Sequence, residues 1–203
     1  MARAYDAAVA DELDDACWEL LHAARLRGFV GDGEEPVAVR VVEIGFAARS
    51  AKGIHLTREG REAHAAWARV PAGDIEAAIE RAYQRFLALN RELIRVCNDW
   101  QVRPGGAPND HADPTYDWTI IDRLVAIDDR VGPILRGAAT SVTRFAGYRT
   151  RLRAARVRVA EGDTEWITSP SIDSYHTVWM QLHEDLLLAL GRDRATEEVS
   201  DQP

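Results

Sequence analysis

The sequence predicts a mainly α chain in two parts, a small N-terminal module over residues 1–73 and a helical bundle over residues 74–191. Three observations carry that reading. Apolar residues recur at helical spacing through most of the chain, one short strand-like stretch interrupts them near residue 55, and Pro71-Ala72-Gly73 breaks the pattern between the two parts.

The first helix is expected from about Asp11 to Arg27, with Leu13, Cys17, Leu20, Leu21 and Ala24 on one face and Gly28 as its stop. Gly31 to Pro36 reads as a loop, and Pro36 is well placed to begin the next element. Val37 to Phe46 fits two periods: Val37, Val39 and Val41 alternate like a strand, while Val37, Val41, Ile44 and Ala48 fit a helix. Length and the proline start favour helix. Ala51-Lys52-Gly53 then turns into a short strand ending at Leu56-Thr57, and Thr57 can cap a helix over Arg58 to Val70, with Gly60 tolerated in its first turn.

Asp74 begins the longest helix, Asp74 to Gln101, which spans about 40 Å at about 1.5 Å per residue. Ile79, Tyr83, Phe86, Asn90, Leu93, Cys97 and Trp100 form a heptad-like stripe along it. Such a stripe serves a homodimer seam or a monomeric bundle equally well, with Asn90 fixing register or joining a buried network. Arg103 to Pro114 is a glycine- and proline-rich loop. Helix follows from about Thr115 to Val131 with Trp118, Ile121, Leu124, Val125 and Ile127 inward, and Gly132-Pro133 is expected to kink or restart it. Further helix is expected to about Phe145, from Tyr148 to Ala160, and from Ile172 to Leu190, stopped by Gly191. The tail, residues 192–203, is charged and expected to be disordered.

Composition narrows the function classes. The hydrophobic fraction of 46% and charged fraction of 29% are those of a globular protein. No apolar run approaches the ~20 residues of a membrane span, and the acidic N-terminus has no signal-peptide core, so a cytoplasmic chain with no membrane partner is expected. Cys17 and Cys97 fall inside apolar helical patterns and read as buried thiols. A net charge of −8 argues against indiscriminate coating of nucleic acid, though not against a binder with one basic face.

Gly53-Ile54-His55-Leu56-Thr57-Arg58-Glu59-Gly60-Arg61 resembles the post-wing segment of bacterial winged-helix regulators of the MarR and PadR type. By that resemblance the first part is a winged-helix module binding DNA, the helix before the wing is its recognition helix, and Arg49, Lys52 and Arg58 meet phosphates. Arg40 is the cation of that recognition segment and Arg61 extends the basic stretch 49–61. The sequence departs from the family pattern: only about 29 residues separate the first helix from Leu56-Thr57, so the module is shortened. Residues 1–70 carry nine Arg or Lys against twelve Asp or Glu, so the module is not basic as a whole. The second part is similar to a group of actinobacterial proteins predicted to be winged-helix regulators, through Leu89-Asn90-Arg91-Glu92-Leu93, Asp99-Trp100-Gln101 to Asp113, and Tyr175 to Leu186.

Two stretches could carry chemistry or hold a small-molecule effector. One is the loop Asn109-Asp110-His111-Ala112-Asp113 with Tyr116, Asp117 and Trp118; its aspartates also suit turns and a helix cap. The other is the last helix, with Tyr175, His176, Trp179 and His183. Together with Trp100 these aromatics could line an apolar pocket between helices, or simply fill the core. His176 and His183 are seven residues apart, about 10 Å along a helix, too far for one metal ion without other ligands. The HExxH spacing, nucleophile elbow, P-loop and dinucleotide fingerprint are all missing, so no metal or cofactor is implied. Arg144, Arg149, Arg151, Arg153, Arg156 and Arg158 read as a solvated face paired with carboxylates, with phosphate or nucleic-acid binding as the alternative. The leading expectation is a dimeric DNA-binding regulator sensing a small apolar or aromatic molecule. Its rival is a ligand-binding protein or enzyme in which His111 and His183 share a cavity.

Overall fold

The computed structural model describes residues 13–31 and 35–192. The protein is mainly helical, with 71% of the described residues in helix and a two-stranded sheet among them. It divides into two compact units, one of residues up to Val70 together with those from Leu187, the other of Pro71–Leu186. The first residues of the expected first helix, Asp32-Gly33-Glu34 of the first loop, and tail residues 193–203 lie outside the described residues.

The N-terminal unit begins with helix α1, Asp15–Arg27, whose cap is the Asp14 carboxylate accepting from the Cys17 amide at 2.9 Å. Cys17, Trp18, Leu21 and Ala24 are its buried face, and Gly28 ends it at φ 82°. The ambiguous stretch after Pro36 divides. Helix α2 covers Pro36–Glu43, and the chain then enters strand β1, Ala47–Ser50, which pairs antiparallel with β2, Gly53–Leu56. Helix α3, Arg58–Ala68, follows, with Thr57 Oγ1 accepting from the Gly60 amide at 3.0 Å and donating to the Gly45 carbonyl at 2.7 Å.

Two glycines set how closely these pieces pack. A Cβ on Gly60 would lie 1.8 Å from the Phe46 carbonyl oxygen, so α3 can start against the backbone before β1 only without a side chain there. Gly60 is thus required, where the sequence suggested mere tolerance. Gly53, at φ 115°, would place a Cβ 2.0 Å from the Val30 oxygen, and Val30 exchanges two 2.9 Å hydrogen bonds with Ile54. Around this frame Trp18 stacks on Trp67 with centroids 5.4 Å apart, and His22 Nδ1 lies 2.9 Å from Nε2 of the buried His64.

The helical unit starts with α4, Asp74–Gln101, and α5, Pro114–Ser141. A short 3₁₀ turn, Thr143–Phe145, leads into α6, Ala146–Ala160; a second, Thr164–Trp166, precedes α7, Tyr175–Leu190. Every member of the α4 stripe is buried within the chain, and Asn90 accepts a 2.9 Å hydrogen bond from the Trp179 indole. The stripe therefore serves the bundle and is not exposed as a dimer seam. Helix α5 is continuous through Pro133, so the helix does not restart there. The proline faces solvent while its neighbours Val131, Ile134 and Leu135 are buried, so packing on the inner side holds the helix where one backbone hydrogen bond is lost. Trp118, expected inward, is 54% exposed, because the inward stripe begins one turn later at Ile120 and Ile121. Helix α7 begins three residues later than its apolar pattern suggests, where the Ser174 hydroxyl accepts from the Thr177 amide.

Ion pairs knit the helices. Arg130 makes a bidentate bridge to Glu92 between α5 and α4, at 2.6 and 2.8 Å. Arg149 donates to Asp128 at 2.7 Å, and Arg156 lies 3.2 Å from the other oxygen of the same fully buried carboxylate. Arg144 and Tyr148 donate to the equally buried Asp185 at 2.8 and 3.1 Å. Of the six arginines between residues 144 and 158, Arg144, Arg149 and Arg156 meet the interior carboxylates Asp185 and Asp128, Arg151 and Arg158 pair with Asp173, Glu161 and Asp163, and Arg153 has no carboxylate partner among the described residues.

Candidate functional site

In the N-terminal unit, β1 and β2 are joined by the two-residue turn Ala51-Lys52, which puts Arg49 and Lys52 at the exposed end of the hairpin. Arg40 is exposed on α2, where Val39 and Glu43 share its face. Arg61 donates to the Leu56 carbonyl at 2.8 Å, bracing the end of β2, and Arg58 pairs with Glu62 at 3.0 Å. Among the described residues only α2 lies between the Val30 bridge and the hairpin.

The loop between α4 and α5 closes on itself. Val102 bridges Pro108, and the Arg103 amide donates to the Ala107 carbonyl at 2.8 Å, leaving Gly105-Gly106 as an exposed tip. Asp113 caps α5 by accepting from the amides of Thr115 and Tyr116, and Arg103 reaches it at 3.1 Å while stacking over the Tyr116 ring. The Tyr116 amide first, and then Arg103, holds the Asp113 carboxyl below its ordinary range. Asp110 accepts from the Ala112 amide and is otherwise exposed, as a turn residue would be.

His111 is the most constrained side chain of this loop. Its φ of 57° is the one left-handed value at a non-glycine residue among those described. Its ring packs on Trp100 with centroids 4.3 Å apart, and its Nδ1 lies 3.0 Å from Asp117 Oδ2. Buried Asn109 donates both amide hydrogens elsewhere, to the Trp100 carbonyl at 3.1 Å and to Asp117 Oδ1 at 2.9 Å. The 3.2 Å approach of that amide to His111 Nδ1 is therefore a contact, and Nδ1–H donates to Asp117. In that neutral tautomer Nε2 is the ring's acceptor, on a side chain that is 42% exposed. The sequence placed Asp117 beside this loop but did not pair it with His111; their six-residue spacing crosses a loop and a helix start, which no periodicity connects.

Of the remaining candidates, Tyr175, Trp179 and His183 lie in the packed interior of the helical unit and His176 is half-buried. Trp179 stacks on Phe86 with centroids 4.8 Å apart, and Tyr175 donates to Asp128 at 3.3 Å; both rings are fully buried. Burial first, then the neighbouring Asp128, pushes the Tyr175 hydroxyl well above its ordinary pKa. His183 is sandwiched near Tyr83 and Phe86, and the His176 amide donates to the Ile167 carbonyl. His111 packs on Trp100 and His183 on Phe86, fourteen residues apart on α4, or about 21 Å along its axis. The two histidines do not share a cavity. Among the described residues no group of three or more His, Cys, Asp or Glu side chains is arranged to hold a metal ion.

No family model, curated protein or solved structure matches this chain. The site must be read from its own geometry. Among the described residues, no helix is long and apolar enough to cross a membrane.

Proposed function

We propose that the protein is a DNA-binding transcriptional regulator whose N-terminal unit meets the phosphate backbone through its hairpin and whose helical unit receives a small molecule. One observation carries the reading: the two-residue turn exposes Arg49 and Lys52 together at the end of a hairpin that directly follows an exposed helix. Phosphate contacts of this kind position a protein on DNA, and base readout falls to the preceding helix. Helix α2 offers little for that purpose, with Arg40 beside Glu43, so backbone contact outweighs sequence discrimination in this reading.

Fluorescence anisotropy with duplex DNA over a range of salt concentrations tests it. Arg49→Ala with Lys52→Ala is expected to weaken binding about tenfold or more and to reduce the salt slope by about 2. Affinity that does not change in the double variant overturns the assignment.

A second reading rests on His111. The Asp117–His111 pair, on a partly exposed imidazole, has the arrangement of a general base oriented by a carboxylate. Hydrolysis of an activated ester that is lost in both His111→Ala and Asp117→Asn would favour this enzymatic reading. Equal rates in all three proteins would remove it.

A further inference from the structure

An open groove of about 810 Å³ runs along α6 toward the second 3₁₀ turn. Its apolar floor is Ala154, Val157 and the Trp166 indole, and its polar wall is Arg149, Arg153 and Arg158. Val157 is 41% exposed and contributes apolar surface to the groove.

The arginines differ in what they can still do. Arg158 is occupied, pairing with Asp163 at 2.6 Å and lying over the Trp166 ring at 5.6 Å, which fixes the indole at the end of the groove. Arg149 has one guanidinium nitrogen on Asp128, a carboxylate it shares with Arg156, so this buried cluster keeps an excess of positive charge while the guanidinium is held in place. Arg153 is exposed and has no partner among the described residues. Counting Arg149, Arg153, Arg156 and Arg158 against Asp128, Glu161 and Asp163, the groove is locally positive on a chain whose net charge is −8.

We infer that this groove binds an amphiphilic organic anion, with a single acidic head at Arg149 and Arg153 and a flat apolar body lying over Ala154 and Val157 against Trp166. The volume lies within the roughly 300–1,000 Å³ of small-molecule sites. The combination of one uncommitted guanidinium, one pre-positioned guanidinium and an indole selects neither a plain inorganic anion, which has no use for the floor, nor a neutral hydrophobe, which has no use for the wall. The groove would serve as the effector site of the proposed regulator. Its ligand binding stands without DNA contact, and a failed DNA titration leaves the test below unaffected.

The test uses the full chain and two fluorescent probes with the same ring system, 8-anilinonaphthalene-1-sulfonate and the uncharged N-phenyl-1-naphthylamine. Saturable sulfonate binding is expected. Arg153→Glu should weaken it about tenfold and leave the neutral probe unchanged. Val157→Asp, also at an exposed position, should weaken both probes. The inference is overturned if Arg153→Glu leaves sulfonate affinity intact, if the neutral probe binds wild type as tightly as the sulfonate, or if inorganic phosphate displaces the sulfonate at matched concentration.

Discussion

The N-terminal unit and the helical unit solve the problem of packing small numbers of elements in different ways. Among the described residues of the N-terminal unit the buried polar side chain is His64, and the elements approach one another through missing side chains, at Gly53 and Gly60. The helical unit buries Asp128 and Asp185 completely and surrounds each with arginine and tyrosine. Shape fixes the first arrangement and paired charge the second. A buried ion pair adds little net stability over an apolar replacement, yet removing one partner is costly because the other is left uncompensated. A close-approach glycine has the opposite profile: it contributes no contact, and any addition is what hurts.

Substitutions can break this contrast. Asp128→Ala strands two guanidiniums and the Tyr175 hydroxyl, and should cost about 3–5 kcal/mol in a urea melt followed by helical signal. A shift within experimental error would mean the cluster is not a stabilising hub. Gly60→Ala forces α3 away from Phe46 and should cost about 2–3 kcal/mol. Faster hydrogen exchange at the β1–β2 amides is its local signature, and unaltered protection there would show that α3 can shift freely. Thr57→Ala removes the cap of α3 and one hydrogen bond to Gly45, for about 1 kcal/mol in the same assay.

The smallest effect is with pH. Asp14, held low first by the Cys17 amide, and Asp113, held low first by the Tyr116 amide, have folded values below the ordinary 3.8. Glu92, held low first by Arg130, lies below 4.5. Their contributions are fully present above those ordinary values and fade as pH falls through the lower folded ones. Acid unfolding should therefore steepen below about pH 4, and Asp14→Asn with Asp113→Asn should flatten it. An unaltered acid limb in that double variant would assign the transition to other carboxylates.

How much of this was legible in the sequence follows the same division. Helix α4 could be read to both ends, because a seven-member stripe, a break before it and a proline-rich loop after it agree. The Thr57 cap was legible for the same local reason. Strand β1 was not, since Ala47-Ala48-Arg49-Ser50 lacks the branched and aromatic residues that mark strands and follows a valine run that suits either period. The reach of Arg149 to Asp128 joins residues 21 apart on different helices, so no spacing rule announces it. The candidate loop was visible as a loop with a histidine. That Asp117 would orient that histidine depends on how α5 enters after its Asp113 cap, which only the fold supplies.

The N-terminal unit is also not contiguous in sequence. The Val70 amide donates to the Ala189 carbonyl at 2.9 Å, and residues 187–190 at the end of α7 are buried and belong to this unit. In genetic terms the helical unit is nested within its neighbour, not appended to it. A gene bisected after codon 73 would yield a first half missing part of its own interior, and a protease would need two cuts to release either body whole. The economical dissection is an excision: delete residues 71–186 and join Val70 to Leu187, since the backbone on either side of that gap is already within hydrogen-bonding reach.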